Sequence, residues 1–163
     1  MTQPSFTSRM LFGLMKMAQE EHRYEMKSKW VREKIVDVQI DGIPDFKVAT
    51  PLDFWPNSPP DMLSPEHLFL ASAVTCYAVS LSGVAKRYHA EFDDFEIDAY
   101  GTLAQREYGW QFDMIHISAK IWVSSSSDRK KMKKAAERAH RYCVVSNSMK
   151  NSVELEYEII LEE

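Results

Sequence analysis

The sequence predicts an α+β fold, in which helices are set among antiparallel strands. Several short segments alternate apolar and polar residues, which is typical of half-buried strands. One long segment without charge has the composition of a buried helix, and a later charged segment has the capping pattern of a surface helix. The predicted order is β-β-β-α-β-β-α-β within a single domain over residues 24–163, after an N-terminal extension at residues 1–23.

Length and composition suit one domain with a full hydrophobic core. The chain has 163 residues, of which 45% are apolar and 12% aromatic, and its net charge is −4. Acidic and basic residues are interspersed, and the one basic cluster, at residues 129–134, is interpreted as the solvated face of a helix, so a nucleic-acid partner is not expected. No secretory signal is recognised, and the expected location is the cytoplasm, where structural disulfides are uncommon.

The first elements are predicted from local spacing. A short helix is expected over residues 11–18 of the extension, because its apolar residues follow helical spacing after two capping residues. Strands are predicted at residues 24–31, 34–40 and 46–49, with Asp41-Gly42 as a turn between the second and third. Residues 51–60 contain four prolines and are expected to form a loop.

A long central helix is predicted from Ser64-Pro65 to about Arg87. Serine is a good N-cap, and proline suits the first helical position. No charged side chain occurs from Leu68 to Ala85, so the helix is expected to be buried on several sides. Its serines and threonine make it too polar for a membrane span, and a core helix is the preferred interpretation.

The second half of the chain alternates in the same way. Strands at residues 95–103 and 112–123 are predicted to form a long antiparallel pair, joined near Tyr108-Gly109. A helix is expected from a cap at Ser127-Asp128 to about residue 141, followed by a short helical turn at residues 146–150. A last strand is predicted at residues 153–161.

The two cysteines leave two interpretations open. Cys76 lies near the middle of the long helix, and Cys143 follows the predicted end of the next helix. Each can be an inert buried thiol, or the two can form a working redox pair. Apolar burial would raise the pKa of Cys76, whereas His140, Arg141 and the start of the next helical turn would favour a thiolate near Cys143.

Two segments together resemble a known family. They are SPEHLFLASAVTCYAVSL, from Ser64, and YCVVSNSMK, from Tyr142. This pattern resembles the osmotically inducible protein C and organic hydroperoxide resistance (OsmC/Ohr) family, in which a Pro-Glu-x-Leu motif opens a long central helix. In that family one cysteine follows the glutamate by ten residues, and a second lies in a Cys-x-x-Ser-like segment before the last strand. The match covers residues 24–162 in outline and leaves the N-terminal extension outside the family pattern.

The resemblance implies an OsmC-like thiol-dependent peroxidase. Cys76 would attack the O–O bond of a hydroperoxide and become a sulfenic acid, and Cys143 would resolve it as a disulfide. An external dithiol would then restore both thiols, and no cofactor or metal is expected. Family members hold the thiolate with a glutamate, here Glu66, and an arginine. Arg32, at the turn between the first two strands, is the first candidate, and Arg106 is the second.

Helix geometry adds a dimer to these expectations. Glu66 and Cys76 are ten residues apart on one predicted helix, which is a rise of about 15 Å. The two side chains of one chain therefore cannot meet unless the helix breaks between them. If both serve one site, the simplest arrangement is an intertwined two-fold homodimer whose helices cross antiparallel near Ala71. Two sites would then lie at the subunit interface. The other role open to Glu66 is that of a first-turn acid which favours the helix dipole.

Particular residues allow other interpretations of the function. Five aromatic side chains near the thiols could line an apolar pocket that favours organic hydroperoxides over hydrogen peroxide. The alternative function is a non-catalytic OsmC-like dimer that binds a small apolar ligand or partner. A metal site built from His67, Cys76, His140 and Cys143 lacks paired ligand spacing. The aromatic side chains are Phe54, Trp55, Phe69, Tyr77 and Tyr142.

Overall fold

The protein is described by a computed structural model that covers residues 21–162. Within these residues it has six strands and three helices, in the predicted order, and the α+β class is confirmed. The short helix predicted at residues 11–18 lies outside the described residues. The elements in chain order are β1 (Lys27–Arg32), β2 (Ile35–Ile40), β3 (Ile43–Ala49), α1 (Pro65–Arg87), β4 (Asp94–Arg106), β5 (Gly109–Val123), α2 (Ser126–Tyr142), α3 (Val144–Ser148) and β6 (Ser152–Leu161).

The chain forms two compact units, one that ends at Lys47 and one that begins at Val48. The first contains a sheet of order β1-β2-β3, whose third strand continues past the boundary. Strand β1 runs antiparallel to β2 around a tight turn in which Glu33 has a φ of 46°. The extent of the predicted single domain, residues 24–163, stays a prediction.

The second unit contains a sheet of order β4-β5-β6. Strands β4 and β5 form the predicted long antiparallel hairpin, which turns at Gly109 with a φ of 112°. Strand β6 instead runs parallel to β5, with Met114 opposite Ser152 at one end and Val123 opposite Leu161 at the other. Helices α2 and α3 connect these two strands, and such a crossover lets the chain return in the same direction. Alternation alone does not give the direction of pairing.

The core of the second unit lies between one face of this sheet and two helices. Strand β5 contributes every second residue, as the period of a half-buried strand requires. Helices α1 and α2 contribute residues at three- and four-residue spacing, which places them on one face of each helix. The fully buried side chains in this core are Ala73, Tyr77, Leu81, Ile115, Ile117, Ile121, Val123, Met132, Ala135, Ala136 and Ala139.

Both long helices begin at serine caps. Helix α1 starts as predicted: the Ser64 hydroxyl accepts a hydrogen bond from the backbone N–H of His67 at 3.2 Å, and the Ser64 N–H donates to Nδ1 of His67 at 3.2 Å. Helix α2 begins earlier than predicted, and the cap assigned to Ser127-Asp128 is wrong. The N-cap is Ser125, whose hydroxyl accepts from the Asp128 N–H at 3.0 Å. Asp128 is therefore the residue that is capped.

Helix α1 buries only one face against the residues that the structure describes. Its buried residues follow the helical period, whereas Ala71, Thr75, Val79 and Ser82 on the other side are exposed. By length and composition α1 could cross a bilayer, but one such helix is weak evidence, because core helices of soluble proteins meet the same criterion. Only 28% of its most apolar window is buried. The charge-free surface of this helix is therefore left largely uncovered by residues 21–162.

Candidate active site

The two cysteine thiols are in contact. Cys76 lies near the middle of α1, and Cys143 lies between α2 and α3, 67 positions later in the chain. The Cys143 thiol donates a hydrogen bond to the sulfur of Cys76. Both cysteines are free, and Cys143 is fully buried while Cys76 is half-buried. This contact is the spatial condition that a redox pair requires.

A sharp corner between α2 and α3 holds Cys143 in place. Cys143 leaves helical geometry, with φ −65° and ψ 105°, and its N–H donates to the carbonyl of His140 at 3.2 Å. Its carbonyl accepts from the N–H of Asn147 at 3.0 Å, and the Asn147 side chain donates to the Arg141 carbonyl at 2.9 Å. The residue is thus both the C-cap of one helix and the N-cap of the next. This double role fixes the backbone from which the thiol projects.

Hydrogen bonds favour a thiolate at Cys76. Burial opposes the charge, but the backbone N–H of Val145, the Cys143 thiol, the Ser80 hydroxyl and the backbone N–H of Val144 together outweigh it, and the pKa of Cys76 lies below its ordinary value. In this unit the groups that lower this pKa are all neutral hydrogen-bond donors. A lowered pKa increases the fraction of the nucleophilic thiolate near neutral pH.

Cys143 shows the opposite shift. Burial raises its pKa, and the hydrogen bond and charge of Cys76 raise it further, against the lowering effect of the Ser146 hydroxyl and N–H. The Ser146 hydroxyl lies 3.1 Å from the Cys143 sulfur. Cys76 therefore ionises at a lower pH than Cys143. The pair is chemically asymmetric, with the more acidic thiol on α1.

The hydrogen-bond donors of α3 are divided between the two sulfurs, a division that the sequence did not predict. The start of the short helical turn was expected to favour a thiolate at Cys143, but the first two N–H groups of α3 act on Cys76. Burial lowers the pKa of His140 below its ordinary value despite a hydrogen bond to the Val153 backbone, which disfavours a positive charge there. Ser80 was not singled out, although its position one turn after Cys76 on the same helix was visible in the sequence.

Glu66 and Cys76 do not meet within one chain. Both lie on the uninterrupted helix α1, so their separation of about 15 Å along the axis follows from helix geometry. Glu66 is in the first turn, as the alternative role of a dipole-favouring acid requires. Its Oε2 atom is nevertheless buried and accepts no hydrogen bond from residues 21–162. A buried carboxylate oxygen without a partner is costly, so this atom points to a donor outside those contacts.

The two candidate arginines lie at the turns where they were predicted. Arg32 ends β1 in the first unit, where it is paired with Ile35 beside the turn. Its predicted contact with Cys76 stays a prediction. Arg106 is near the end of β4, and its Nε donates to Oδ1 of Asp113 across the hairpin at 2.9 Å. Arg106 is thus engaged in a surface ion pair of its own hairpin.

The proposed metal ligands have other roles. His67 is occupied by the cap of α1, where Nδ1 accepts from the Ser64 backbone. Across the part of the chain that the structure describes, no three His, Cys, Asp or Glu side chains converge to hold a metal ion. The site therefore has the chemistry of two thiols and their hydrogen-bond donors.

The aromatic residues near the thiols separate into core and surface. Tyr77 is fully buried in the core, and Phe69 packs against that core and stacks on Phe112 at 4.9 Å between ring centroids. Tyr142 is exposed and lines a surface pocket of about 340 Å³ together with Ser80. Among the aromatic residues predicted to line an apolar pocket, Tyr142 lines a surface pocket that it shares with Ser80, and Ser80 hydrogen-bonds to Cys76.

A family model and a curated protein both resemble this chain over most of its length. The family model described as OsmC-like protein matches residues 58–158, which include both cysteines and Glu66. The organic hydroperoxide resistance protein OhrB of Bacillus subtilis is 28% identical over 123 residues, which cover 73% of this chain and 84% of that protein.

Solved structures share the fold. An OsmC-like protein of unknown function from Vibrio cholerae superposes with a TM-score of 0.76 at 16% identity, over 85% of this chain and all of the other. An organic hydroperoxide resistance protein from Elizabethkingia anophelis gives a TM-score of 0.67 at 21% identity, over 87% of this chain and 99% of that one. At these identities the structural likeness establishes the architecture.

Proposed function

This chain belongs to the OsmC-like protein family, and from that premise we propose that it is a thiol-dependent peroxidase that reduces organic hydroperoxides. The observation that supports this most is the contact between Cys76 and Cys143 with opposite pKa shifts. A peroxidase needs one thiolate to attack and one thiol to resolve the product. A similar protein, OhrB, is named for organic hydroperoxide resistance.

In the first step, the Cys76 thiolate attacks the terminal oxygen of the hydroperoxide. An S–O bond forms, the O–O bond breaks, and the sulfur is oxidised to a sulfenic acid while the peroxide is reduced to an alkoxide. The alkoxide takes a proton and leaves as an alcohol. The N–H groups of Val144 and Val145, with the Ser80 hydroxyl, hold the thiolate in position before the attack.

In the second step, the Cys143 sulfur attacks the sulfenic sulfur of Cys76. An S–S bond forms, the S–O bond breaks, and the hydroxyl departs with the proton of Cys143 as water. An external dithiol then reduces the disulfide by exchange and is itself oxidised. We place this cycle in the cytoplasm, where dithiol reductants are maintained.

We also propose that the working protein is a two-fold dimer. Glu66 cannot reach Cys76 of its own helix, and its Oε2 atom is buried without a hydrogen-bond donor among the described residues. Helix α1 also leaves an uncharged face exposed around Thr75 and Val79. Antiparallel packing of two such helices would cover that face and bring Glu66 of one chain towards Cys76 of the other. Arg32 is the proposed cation of the completed site.

The test is a thiol titration after exposure of the reduced protein to an equimolar amount of cumene hydroperoxide. The peroxidase should lose both thiols and form an intramolecular Cys76–Cys143 disulfide, which mass spectrometry of peptides detects. Cys76→Ser should abolish peroxide consumption. Cys143→Ser should allow a single turnover and leave Cys76 oxidised. Two unreacted thiols in the native protein would instead support a non-catalytic dimer that binds an apolar ligand.

A further inference from the structure

Another surface pocket lies between α2 and β6. Its volume is about 310 Å³, and it is lined by Arg129, Lys133, Tyr157 and Ile159. Pockets that bind small molecules begin at about 300 Å³, so this one is large enough for a small organic ligand. Lys133 is ten residues before Cys143, a rise of about 15 Å along α2, so the pocket is separate from the candidate active site.

Two cations of α2 form one side of the pocket. Arg129 and Lys133 are four residues apart, which places their side chains on the same face of the helix. Both are exposed, and neither makes an ion pair with a carboxylate in the part of the chain that the structure describes. Lys131, by contrast, donates to the His89 carbonyl at 2.8 Å and pairs with Asp128 at 3.2 Å. The two cations of the pocket are therefore open to an anion.

Strand β6 forms the other side of the pocket with an aromatic and an aliphatic side chain. Tyr157 and Ile159 are two residues apart and lie on the same face of the strand, whereas the glutamates of β6 alternate to the other face. Both side chains are half-buried and pack against the hydrophobic core. The Tyr157 hydroxyl donates to Oε1 of Glu137 at 2.8 Å, and this bond fixes the orientation of the ring.

The charge of the pocket is positive. Burial raises the pKa of Tyr157 to about 12, and the hydrogen bond and charge of Glu137 act in the same direction, so the phenol stays neutral near pH 7. Glu137 does not itself line the pocket. Arg129 is the fourth residue of α2, where the positive end of the helix dipole adds to the attraction for an anion. The pocket thus combines two cations with a flat, uncharged ring.

A phosphate monoester matches this arrangement. At pH 7 it carries nearly two negative charges and has three acceptor oxygens, so it can pair with both cations at once. A guanidinium binds two of these oxygens through parallel hydrogen bonds, and an ammonium group binds as a point charge. A carboxylate has a single charge and would leave one of the two cations without a partner. A planar group attached to the phosphate can lie on the Tyr157 ring in an offset stack.

We propose that this pocket binds an organic phosphate monoester, with its phosphate between Arg129 and Lys133 and its planar ring on Tyr157. The binding involves no covalent step and does not depend on the peroxidase proposed above. A simple aryl phosphate and a nucleoside monophosphate share this chemistry. They differ in the distance between ring and phosphate, because a ribose separates the two in the nucleotide.

The test is isothermal titration calorimetry of the full-length protein at about 0.15 M salt with phenyl phosphate, adenosine monophosphate and inorganic phosphate. Phenyl phosphate or adenosine monophosphate should bind more tightly than inorganic phosphate, which has no ring, and the tighter of the two identifies the source of the ligand. Arg129→Gln and Lys133→Gln should each weaken that binding by roughly fivefold. Lys134→Gln is the matched control, because it removes the same charge from the next residue, which does not line the pocket.

Substitutions of Tyr157 test the contribution of the ring. Tyr157→Phe keeps the ring and should keep the preference over inorganic phosphate, whereas Tyr157→Leu should lose it. Circular dichroism checks that both variants are folded, and if Tyr157→Leu is not, the two cation variants and their control decide the proposal.

Three results would overturn the proposal. One is equal affinity for the three anions, and another is an equal loss of binding in Lys133→Gln and Lys134→Gln, since either would show that α2 attracts anions only through its general charge. The third is an absence of binding at millimolar concentrations of every probe. Peroxide consumption should be unchanged in Arg129→Gln, and failure of the peroxidase proposal would leave these binding measurements unaffected.

Discussion

Cys143 donates a hydrogen bond to Cys76, and this contact contributes to opposite pKa shifts of the two thiols, together with burial and the N–H groups of α3. The pKa of Cys76 is lowered and that of Cys143 is raised. Cys76 is thereby the more acidic of the two thiols, although the residues are 67 positions apart.

The order of ionisation predicts the order of alkylation. Iodoacetamide should label Cys76 before Cys143 at every pH at which labelling is partial, because only the thiolate reacts. Peptide mass spectrometry at several pH values measures both rates. Cys143→Ala removes a donor that lowers the pKa of Cys76, so the labelling curve of Cys76 should move to higher pH. Earlier labelling of Cys143 in the native protein would contradict the assignment.

The same shift makes a prediction for stability. The folded-state pKa of Cys76 lies below its unfolded value, so ionisation of Cys76 stabilises the fold fully above the unfolded pKa. That stabilisation is lost as the pH falls through the folded pKa. The free energy of unfolding of the native protein should therefore exceed that of Cys76→Ser by more at alkaline than at acidic pH. Urea denaturation under reducing conditions at several pH values measures the difference, and a pH-independent difference would refute the linkage.

Ser80 is predicted to tune the nucleophile. Ser80→Ala removes a hydroxyl that donates to Cys76, so the pKa of Cys76 should rise and the peroxidase rate at neutral pH should fall by up to about tenfold. The rate should recover at alkaline pH, where the thiolate forms without this donor. Ser82→Ala is the control, because its hydroxyl bonds to the Ala78 carbonyl of the same helix at 3.3 Å. If the pH–rate profile of Ser80→Ala matches that of the native protein, Ser80 does not lower the pKa of Cys76.

The uncovered face of α1 predicts a dimer in solution. Val79 is 73% exposed on that face, and Val79→Asp would place a charge in an apolar interface. Light scattering should show a dimer for the native protein and a monomer for the variant, with loss of peroxide consumption. Tyr108→Asp, at a hairpin residue that is 94% exposed, should remain dimeric. A monomeric native protein would remove the basis for a shared site.

Close packing at Gly101 predicts a stability difference between two glycines. A Cβ at Gly101 would lie 2.7 Å from Cε1 of Phe112, whose ring is stacked on Phe69 and cannot move freely. Gly101→Ala should therefore destabilise the fold by about 1–3 kcal/mol. Gly83 is in a helix with open space around it, so Gly83→Ala should stabilise by roughly 0.5–1 kcal/mol. Urea denaturation measures the free energy of unfolding of both variants. Equal changes in the two variants would show that the Phe112 ring moves aside.

Local features of the fold could be predicted because they depend on near neighbours in the chain. Alternation placed the strands of both sheets, and the Ser64-Pro65 pair placed the start of α1. The first residue of a helix could be predicted less precisely where several possible capping residues are adjacent in the sequence. Ser125 rather than Ser127 caps α2. Its backbone is extended, with a φ of −135°, and its hydroxyl accepts a hydrogen bond from the N–H of Asp128, the third residue of the helix.

Features that depend on distant residues could not be predicted in the same way. The parallel pairing of β6 with β5 follows from the path of α2 and α3, which alternation within β6 does not contain. The face of α1 that is buried depends on which elements pack against it, and a helix without charge gives no polar side to indicate it.

The sequence alone determined the α+β order of elements, the family motif and the two thiols as the reactive candidates. Only the tertiary structure decided which hydrogen-bond donors act on each sulfur and so which pKa is lowered. Periodicity and capping act over a few residues, so they are visible in the chain itself. A thiol pKa is set by burial and by hydrogen-bond donors, and for Cys76 three of the four donors, Cys143, Val144 and Val145, come from a segment that only folding brings to α1.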